Sequence, residues 1–430
     1  MRRAKAKLLL AALMLTMVAA PAAAQPRVGE VGTFLIRGGT VITVAGQQIE
    51  NASVLLQDGR IAGVGTNVTA PADATVIDAT GKFVYPGMID SYTPLGLTEV
   101  GGINTMNLRS EIGDFNPHNR AVVALNMDSE MMAVTRANGV TNVLTTPSSG
   151  IMSGQAALIN TAGWTWEDIA VKPTAAFVIN YPREPSFRFG PDPDSEQRRT
   201  AQERVDEDLR ALRTVLSKAR DYERARAAGA PMTETEYEAL RPLMRGEIPA
   251  IVSADTEEQI RGAFALADSF GIRIILYGAD DAWKMADEIA QKNVPIVLGS
   301  IQSTPDDDEP YDAIYAAPGV LHRAGIKFAF STGSGANSRD VPYHAALAVA
   351  YGLPADVALR ALTLTPAEIF GVDDQLGSIE VGKLANLFVA TGDPLDVRTQ
   401  MTDVFIKGRH VPPDDRHHRF YEKYNARPKK

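Results

Sequence analysis

The chain has 430 residues, 45% of them apolar and 22% charged, with no cysteine and a formal net charge of −9. That apolar content is enough to bury a large core, which excludes a disordered or fibrous chain. The negative charge argues against a nucleic-acid partner, because phosphate binding calls for clustered Lys and Arg, and the absence of cysteine excludes disulfides and a lipid-modified Cys.

Taken in chain order, Arg2, Arg3, Lys5 and Lys7 precede an apolar stretch over residues 8–20 and a small-residue stop at Ala22-Ala23-Ala24. This pattern is that of a secretory signal peptide cleaved after Ala24, so the expected location is periplasmic or secreted. The apolar run is well short of the roughly 20 residues that a spanning helix needs, and no membrane span is expected after cleavage. Arg2-Arg3 leaves the Sec and twin-arginine routes both open.

Between residues 34 and 77, the runs Phe34-Leu35-Ile36, Thr40-Val41-Ile42, Ser53-Val54-Leu55-Leu56 and Ile61-Ala62-Gly63-Val64 read as antiparallel strands. Asp58-Gly59 is the clearest hairpin turn among them. From about residue 83 to 370, buried-strand runs at 141–145, 175–179, 249–252, 272–276, 295–298 and 326–330 alternate with helix-period segments, the first at 128–136. This rhythm predicts an α/β fold, a (β/α)8 TIM-type barrel. Residues 182–247 interrupt it with a Pro- and Arg-containing loop and charged helices at 195–228 and 233–244. A solvent-exposed helical insertion is expected there, with a lid over the active face as the alternative. Past Gly377, β runs at 385–390 and 403–407 imply one discontinuous β-sandwich domain built from both termini. The expected organisation is therefore a signal peptide at 1–24, β-domain at 25–86 and 377–412, barrel at 87–376, and a polar tail at 413–430. The late run His410, Arg416, His417, His418 and Arg419, ending in Lys429-Lys430, reads as part of a solvated tail.

Three stretches resemble the amidohydrolase superfamily, in particular its imidazolonepropionase-like branch. The first passes from Arg37-Gly38-Gly39-Thr40 through Gln57-Asp58-Gly59-Arg60-Ile61 and Val76-Ile77-Asp78-Ala79 to Tyr85-Pro86-Gly87-Met88-Ile89-Asp90. The second is Ala137-Asn138-Gly139-Val140-Thr141-Asn142-Val143. The third is Leu364-Thr365-Pro366-Ala367-Glu368-Ile369-Phe370-Gly371 followed by Gly377-Ser378-Ile379-Glu380-Val381-Gly382-Lys383-Leu384-Ala385-Asn386-Leu387. The resemblance implies one or two divalent metals at the carboxyl ends of the barrel strands, lowering the pKa of a bound water and polarising an amide-like carbon. It also implies a His-x-His after the first barrel strand, further histidines on middle strands, and an aspartate base on the last.

Those side chains are missing. Tyr92 and Pro94 stand where the His-x-His would be, Ser253 and Tyr277 (or Gly278) where later histidines would be, and Gly333 where the aspartate would be. Of six histidines, His410, His417 and His418 fall late in the chain, while His118, His322 and His344 match no ligand position. A histidine-built site needs several imidazoles on one ion, so no metal ligand and no cofactor is assigned; a divalent metal such as zinc belongs only to the alternative below. Tyr92, Ser253, Tyr277 and Gly333 are the expected pocket residues. Asp90 and Asp255 are the candidate catalytic groups among the carboxylates at the mouth, which also include Glu99, Glu111, Asp114, Asp280 and Asp281. The acidic run Asp306-Asp307-Asp308-Glu309 lacks calcium-loop spacing and reads as a solvated connection. The Gly-rich pieces at 148–155 and 331–335 read as loops, and Ser91, Ser253 and Ser331 have no nearby His in sequence to activate them.

The expected function is a binding or partner subunit with a lost metal centre, associating with a histidine-complete relative or with itself. The alternative is an active hydrolase of C–N bonds with a non-standard site, and a third reading is a small-molecule pocket using Tyr92, Trp283 and the helices of the 182–247 insertion.

Overall fold

The computed structural model describes residues 29, 31–99, 103, 107–183, 196–231, 233–304, 309–411 and 415–428. The expected signal peptide and the acids Asp306, Asp307 and Asp308 lie outside the described residues. Among those described, no helix is long and apolar enough to cross a membrane.

Two eight-stranded sheets organise the chain. The first holds β1 (Phe34–Val41), β2 (Ile49–Gln57), β3 (Arg60–Gly65), β4 (Thr75–Asp78) and β5 (Phe83–Pro86). The second holds β6 (Met88–Thr93), β7 (Val140–Thr145), β8 (Met152–Asn160), β9 (Ala170–Asn180), β10 (Ala250–Ala254), β11 (Ile274–Gly278), β12 (Ile296–Leu298) and β13 (Phe328–Ala329). β14 (Leu387–Ala390), β15 (Met401–Ile406) and β16 (Arg409–Val411) then return to the first sheet, in the order β16-β15-β14-β5-β1-β2-β3 with β4 beside β1. Strands from both termini thus share one core, including Ile36, Val54, Val84, Leu387 and Phe405, as a small β-sandwich domain requires.

Asp58 and Gly59, at φ 52° and 77°, form the β2–β3 turn, both in the left-handed region that such a hairpin needs. The two runs expected as separate antiparallel strands at 34–36 and 40–42 instead join in β1, which is irregular at Gly38-Gly39. β1 also pairs in parallel with β4 over Phe34–Arg37 and then with β5 at Thr40 and Val41. Gly38, at φ 78°, lets the strand change partners midway.

The second sheet is the barrel, in the order β6 through β13. Ser91 N–H donates to the Phe330 carbonyl at 3.2 Å and Gly333 N–H to the Tyr92 carbonyl at 3.1 Å, closing β6 against the chain leaving β13. Ile89, Leu144, Leu158, Val178, Ile251, Ile275 and Val297 form one cluster inside it. Seven strands run one way, but β8 is antiparallel to both β7 and β9. This corrects the expected loop at 148–155, whose second half is strand. Glycine and serine make that run look like a loop, yet all of β8 is buried and both its edges carry ladders.

The helices Glu196–Ala227 and Thr235–Met244 form the crossover from β9 to β10. They pack as a hairpin, with Arg241 reaching Glu223 at 2.6 Å and Glu238 at 2.7 Å. Leu212, Leu216, Ala219 and Tyr222 are buried, and Arg220 lies 5.3 Å over Phe270 on the helix Glu257–Phe270. The hairpin flanks the barrel, with one face buried and one in solvent.

Two parts of the expected tail are structured. His410 belongs to β16, meets Asp403 at 3.0 Å and stacks on Phe405 at 4.8 Å. Residues Arg416–Asn425 form a helix capped by Asp415 and held to Glu130 by Arg419. In both places an acidic partner fixes a basic residue that would otherwise be solvated, Asp403 on the neighbouring strand for His410 and the distant Glu130 for Arg419.

Asn386 joins the two sheets. Its amide donates to the Asn142 and Asn160 side-chain oxygens at 2.8 and 2.7 Å, and its own oxygen accepts from the Lys407 N–H at 2.8 Å.

Candidate functional site at the barrel mouth

In the middle of β6 the Asp90 carboxylate is fully buried. It accepts hydrogen bonds from the Thr332 N–H at 3.0 Å and the Thr332 hydroxyl at 2.6 Å, with the Tyr92 N–H more distant at 3.5 Å. Burial pushes this carboxyl up to about 7, although the donors from Thr332, Ser338 and Tyr92 pull the other way. Desolvation of the charge outweighs the hydrogen bonds. Asp90 therefore staples the first barrel strand to the last loop and presents no free oxygen to the mouth.

Beside it, the Tyr92 and Tyr277 rings stack with centroids 3.5 Å apart and 13° between their planes. Tyr277 sits opposite Ser253 in the β10–β11 register. Gly333 has φ 64°, and a Cβ added there would lie 3.0 Å from the Tyr277 hydroxyl. The four expected pocket residues are thus brought together in space. Burial raises both phenols, Tyr92 to about 12 and Tyr277 well above its ordinary value, the latter reinforced by Tyr92 and the carboxylates Asp90, Asp255 and Asp280. Both are neutral hydroxyls near neutral pH.

Asp255 stands apart from Asp90, beyond Ser253. It pairs with the exposed Arg183 at 2.8 Å, and its Oδ1 lies 2.0 Å from where a Gly278 side chain would begin. Burial raises its carboxyl, with Arg183 opposing. Asp281 is tied to Lys284 at 2.6 Å and accepts from the Glu257 N–H, and Trp283 has Lys284 Nζ 5.4 Å from its ring. Glu111 and Asp114 are exposed on the loop leading from β6. The Ser331 hydroxyl donates to the Leu298 carbonyl at 2.6 Å, and the buried Ser91 hydroxyl has no partner. Neither serine meets an imidazole. His344 is buried on the helix Val341–Ala350, where desolvation lowers it to about 4.

The residues at the family's ligand positions do not fit a catalytic metal. Two stacked phenols, a proline, a serine and a glycine stand where nitrogen and carboxylate donors are expected, and the buried Asp90 carboxylate is committed to Thr332. No group of three His, Cys, Asp or Glu among the described residues converges as an ion would require. The sequence pointed to neither the tyrosine stack nor the Asp90–Thr332 staple, for which its one signal is the acid before Tyr92. Clefts of about 520, 220 and 280 Å³ lie at the opposite, amino-terminal face, around Pro249, Ile274, Pro295 and Ile326.

A closed barrel carrying a sheet from both termini, with its candidate site at the carboxyl ends of the strands, is the architecture of an amidohydrolase-type protein. The Amidohydrolase family model matches residues 277–411. An amidohydrolase from Thermotoga maritima MSB8 superposes with a TM-score of 0.77 at 27% identity, covering 88% of this chain and 99% of that one. The amidohydrolase tasK of Hapsidospora irregularis is 24% identical over 387 residues, 83% of this chain but 39% of that protein. A dihydroorotase of Pelotomaculum thermopropionicum is 46% identical over 62 residues, 14% of each chain. The chain therefore spans well under half the length of these two curated relatives that it matches. Together these likenesses support membership of the amidohydrolase superfamily.

Proposed function

We propose that this protein is an exported, catalytically impaired member of its superfamily that acts as a binding or partner subunit. The observation that carries the reading is the Tyr92–Tyr277 stack, with the Tyr277 hydroxyl directed to the place that an acidic side chain at Gly333 would take. Metal-assisted hydrolysis needs an ion held by several donors with an open position for water. Here the donors are absent and the space is filled by rings. A fold can persist without its chemistry because core packing, rather than the ligand set, maintains the barrel. The partner that suits the reading is a relative with its histidines intact, or a second copy.

The test is the metal content of the mature protein purified without chelator, measured by elemental mass spectrometry, together with its co-purifying proteins. The reading expects no transition metal and a stable assembly. About one or two zinc, iron or manganese ions per chain, with turnover of cyclic amides such as dihydroorotate, would overturn it. Export is tested separately by the amino-terminal sequence of the mature protein, expected to begin at Gln25.

A second reading rests on the two raised carboxyls, since burial that holds an acid above its ordinary range favours proton transfer. It gives Asp255, the more accessible of the two, the catalytic role. Turnover abolished by Asp255→Ala would support it, and a broad amide panel with no turnover would remove it.

A further inference from the structure

The three clefts at the amino-terminal face of the barrel run into one another. The largest, about 520 Å³, and the next, about 220 Å³, share Asn293, Val294, Pro295 and Ile369 in their walls. The third, about 280 Å³, shares Ile326, Lys327 and Glu368 with the second. The trough so formed passes under four consecutive strand starts, from Pro249 before β10 past Ile274 and Pro295 to Phe328 in β13. A cleft of this size with largely apolar walls, Phe264, Ile274 and Ile369 among them, matches the ordinary dimensions of a small-molecule site.

Cations outnumber carboxylates along it. Arg273, Lys292, Lys327 and Arg360 line the trough against Asp268 and Glu368. Both carboxylates are used: Asp268 meets Lys292 at 2.8 Å, and Glu368 meets Lys327 at 3.1 Å and also Arg360. Arg273 has no acidic partner among the described residues. Its Nε and Nη2 donate to the Gly246 and Glu247 carbonyls, each at 2.9 Å, which fixes the guanidinium plane and leaves Nη1 uncommitted. Lys172, a second cation without an acid, donates to the Phe370 carbonyl at 2.7 Å, one residue from Ile369 in the wall. Burial, then the charge of Arg273, hold this ammonium below its usual range.

We infer that this trough binds an amphiphile with one anionic head, a carboxylate or a phosphate held at Arg273, and an aliphatic body laid along Val294, Pro295 and Ile369 toward Ile326. An anion there gains a charge-assisted bond from a guanidinium that is already oriented. An acidic peptide suits the trough less well, because β10, β11 and β12 are paired on both edges and offer its backbone no ladder. The site lies on the face opposite the mouth, so the inference goes beyond the reading of the tyrosine stack.

Isothermal titration calorimetry of the mature full-length protein with sodium octanoate, kept below its micelle concentration, tests it. One site per chain is expected, with a Tm that rises with octanoate concentration. Arg273→Gln should weaken octanoate at least about tenfold while leaving octanol unchanged, because only the head loses its partner. Ala267→Trp, on the helix Glu257–Phe270, and Val294→Trp, before β12, fill the trough from two different elements, and each should abolish binding. Both positions are half-buried, so a ligand-free Tm close to wild type identifies a variant that blocks the trough without unfolding the chain. Octyl phosphate run beside octanoate decides which head Arg273 prefers, and saturable binding of either supports the inference. No saturable binding of either overturns it, as does binding that survives both blocking substitutions, or octanol bound as tightly as octanoate. Binding of a polyglutamate peptide without a response to octanoate also overturns it, and assigns the trough to a protein partner. Metal content and turnover take no part in the test, so failure here leaves the reading of the mouth standing.

Discussion

Replacing Asp90 with Asn separates two buried titrations that oppose each other. In the folded chain the Asp90 carboxyl sits at about 7 rather than 3.8, so the folded state holds its proton more tightly than the unfolded one. Stability from this group is complete below the unfolded value and is lost as pH rises through the folded one, about 1.4 kcal/mol per pH unit and about 4 kcal/mol in all. His344 behaves oppositely. Its imidazole is lowered from 6.5 to about 4, so its contribution is present above 6.5 and is lost as pH falls toward 4. The two slopes cancel between about pH 4 and 6.5, leaving a wild-type curve that is nearly flat there as far as these groups decide it. Asn at position 90 removes one slope. It also turns an amide N–H₂ toward the Thr332 hydroxyl, whose oxygen already accepts from the Ser334 N–H, at about 1–3 kcal/mol. Urea unfolding across this range is expected to show Asp90→Asn less stable at about pH 5, with the gap closing or reversing by about pH 8. Below about pH 6.5 the variant's stability rises with pH, exposing the His344 limb. Wild-type and variant curves that run parallel from about pH 4 to 8 would refute the buried, protonated staple.

Three further outcomes follow from the same geometry. His344→Leu should reveal the Asp90 limb alone, a stability that falls steadily with pH between about 4 and 7 in the same urea series. Gly333→Asp, the family-like residue, should cost about 1–3 kcal/mol through its left-handed φ and its approach to the Tyr277 hydroxyl, and should recruit no zinc by elemental analysis. Shortening Tyr277 in the same chain is expected to recover part of that stability. Asn386→Ala should cost about 1–3 kcal/mol, because buried amide partners on both sheets lose a bond, and calorimetry should show a less cooperative transition as sheet and barrel uncouple.

Much of the fold was legible in the residues. Asp58-Gly59 specified a hairpin because only left-handed backbone makes that turn, and the buried runs from 141–145 to 326–330 marked six barrel strands because apolar residues that short and continuous need cover on both faces. What escaped were elements whose composition misleads. Residues 148–155 read as loop because glycine and serine dominate them, yet paired strands on both sides make 152–160 the strand β8. The tail read as solvated because it is basic, yet Glu130 and Asp403 hold it.

The candidate site divides the same way. The sequence alone determined that Tyr92, Pro94, Ser253, Tyr277 and Gly333, at the expected ligand positions, bring no imidazole or carboxylate, since donor chemistry is a property of each residue by itself. It could not determine that Tyr92 and Tyr277 stack, that Gly333 leaves room for a phenol, or that Asp90 is spent on Thr332. Those facts arise only when barrel closure brings β6, β11 and the loop after β13 within a few ångströms, because distances between residues far apart in the chain are set by packing and not by local pattern.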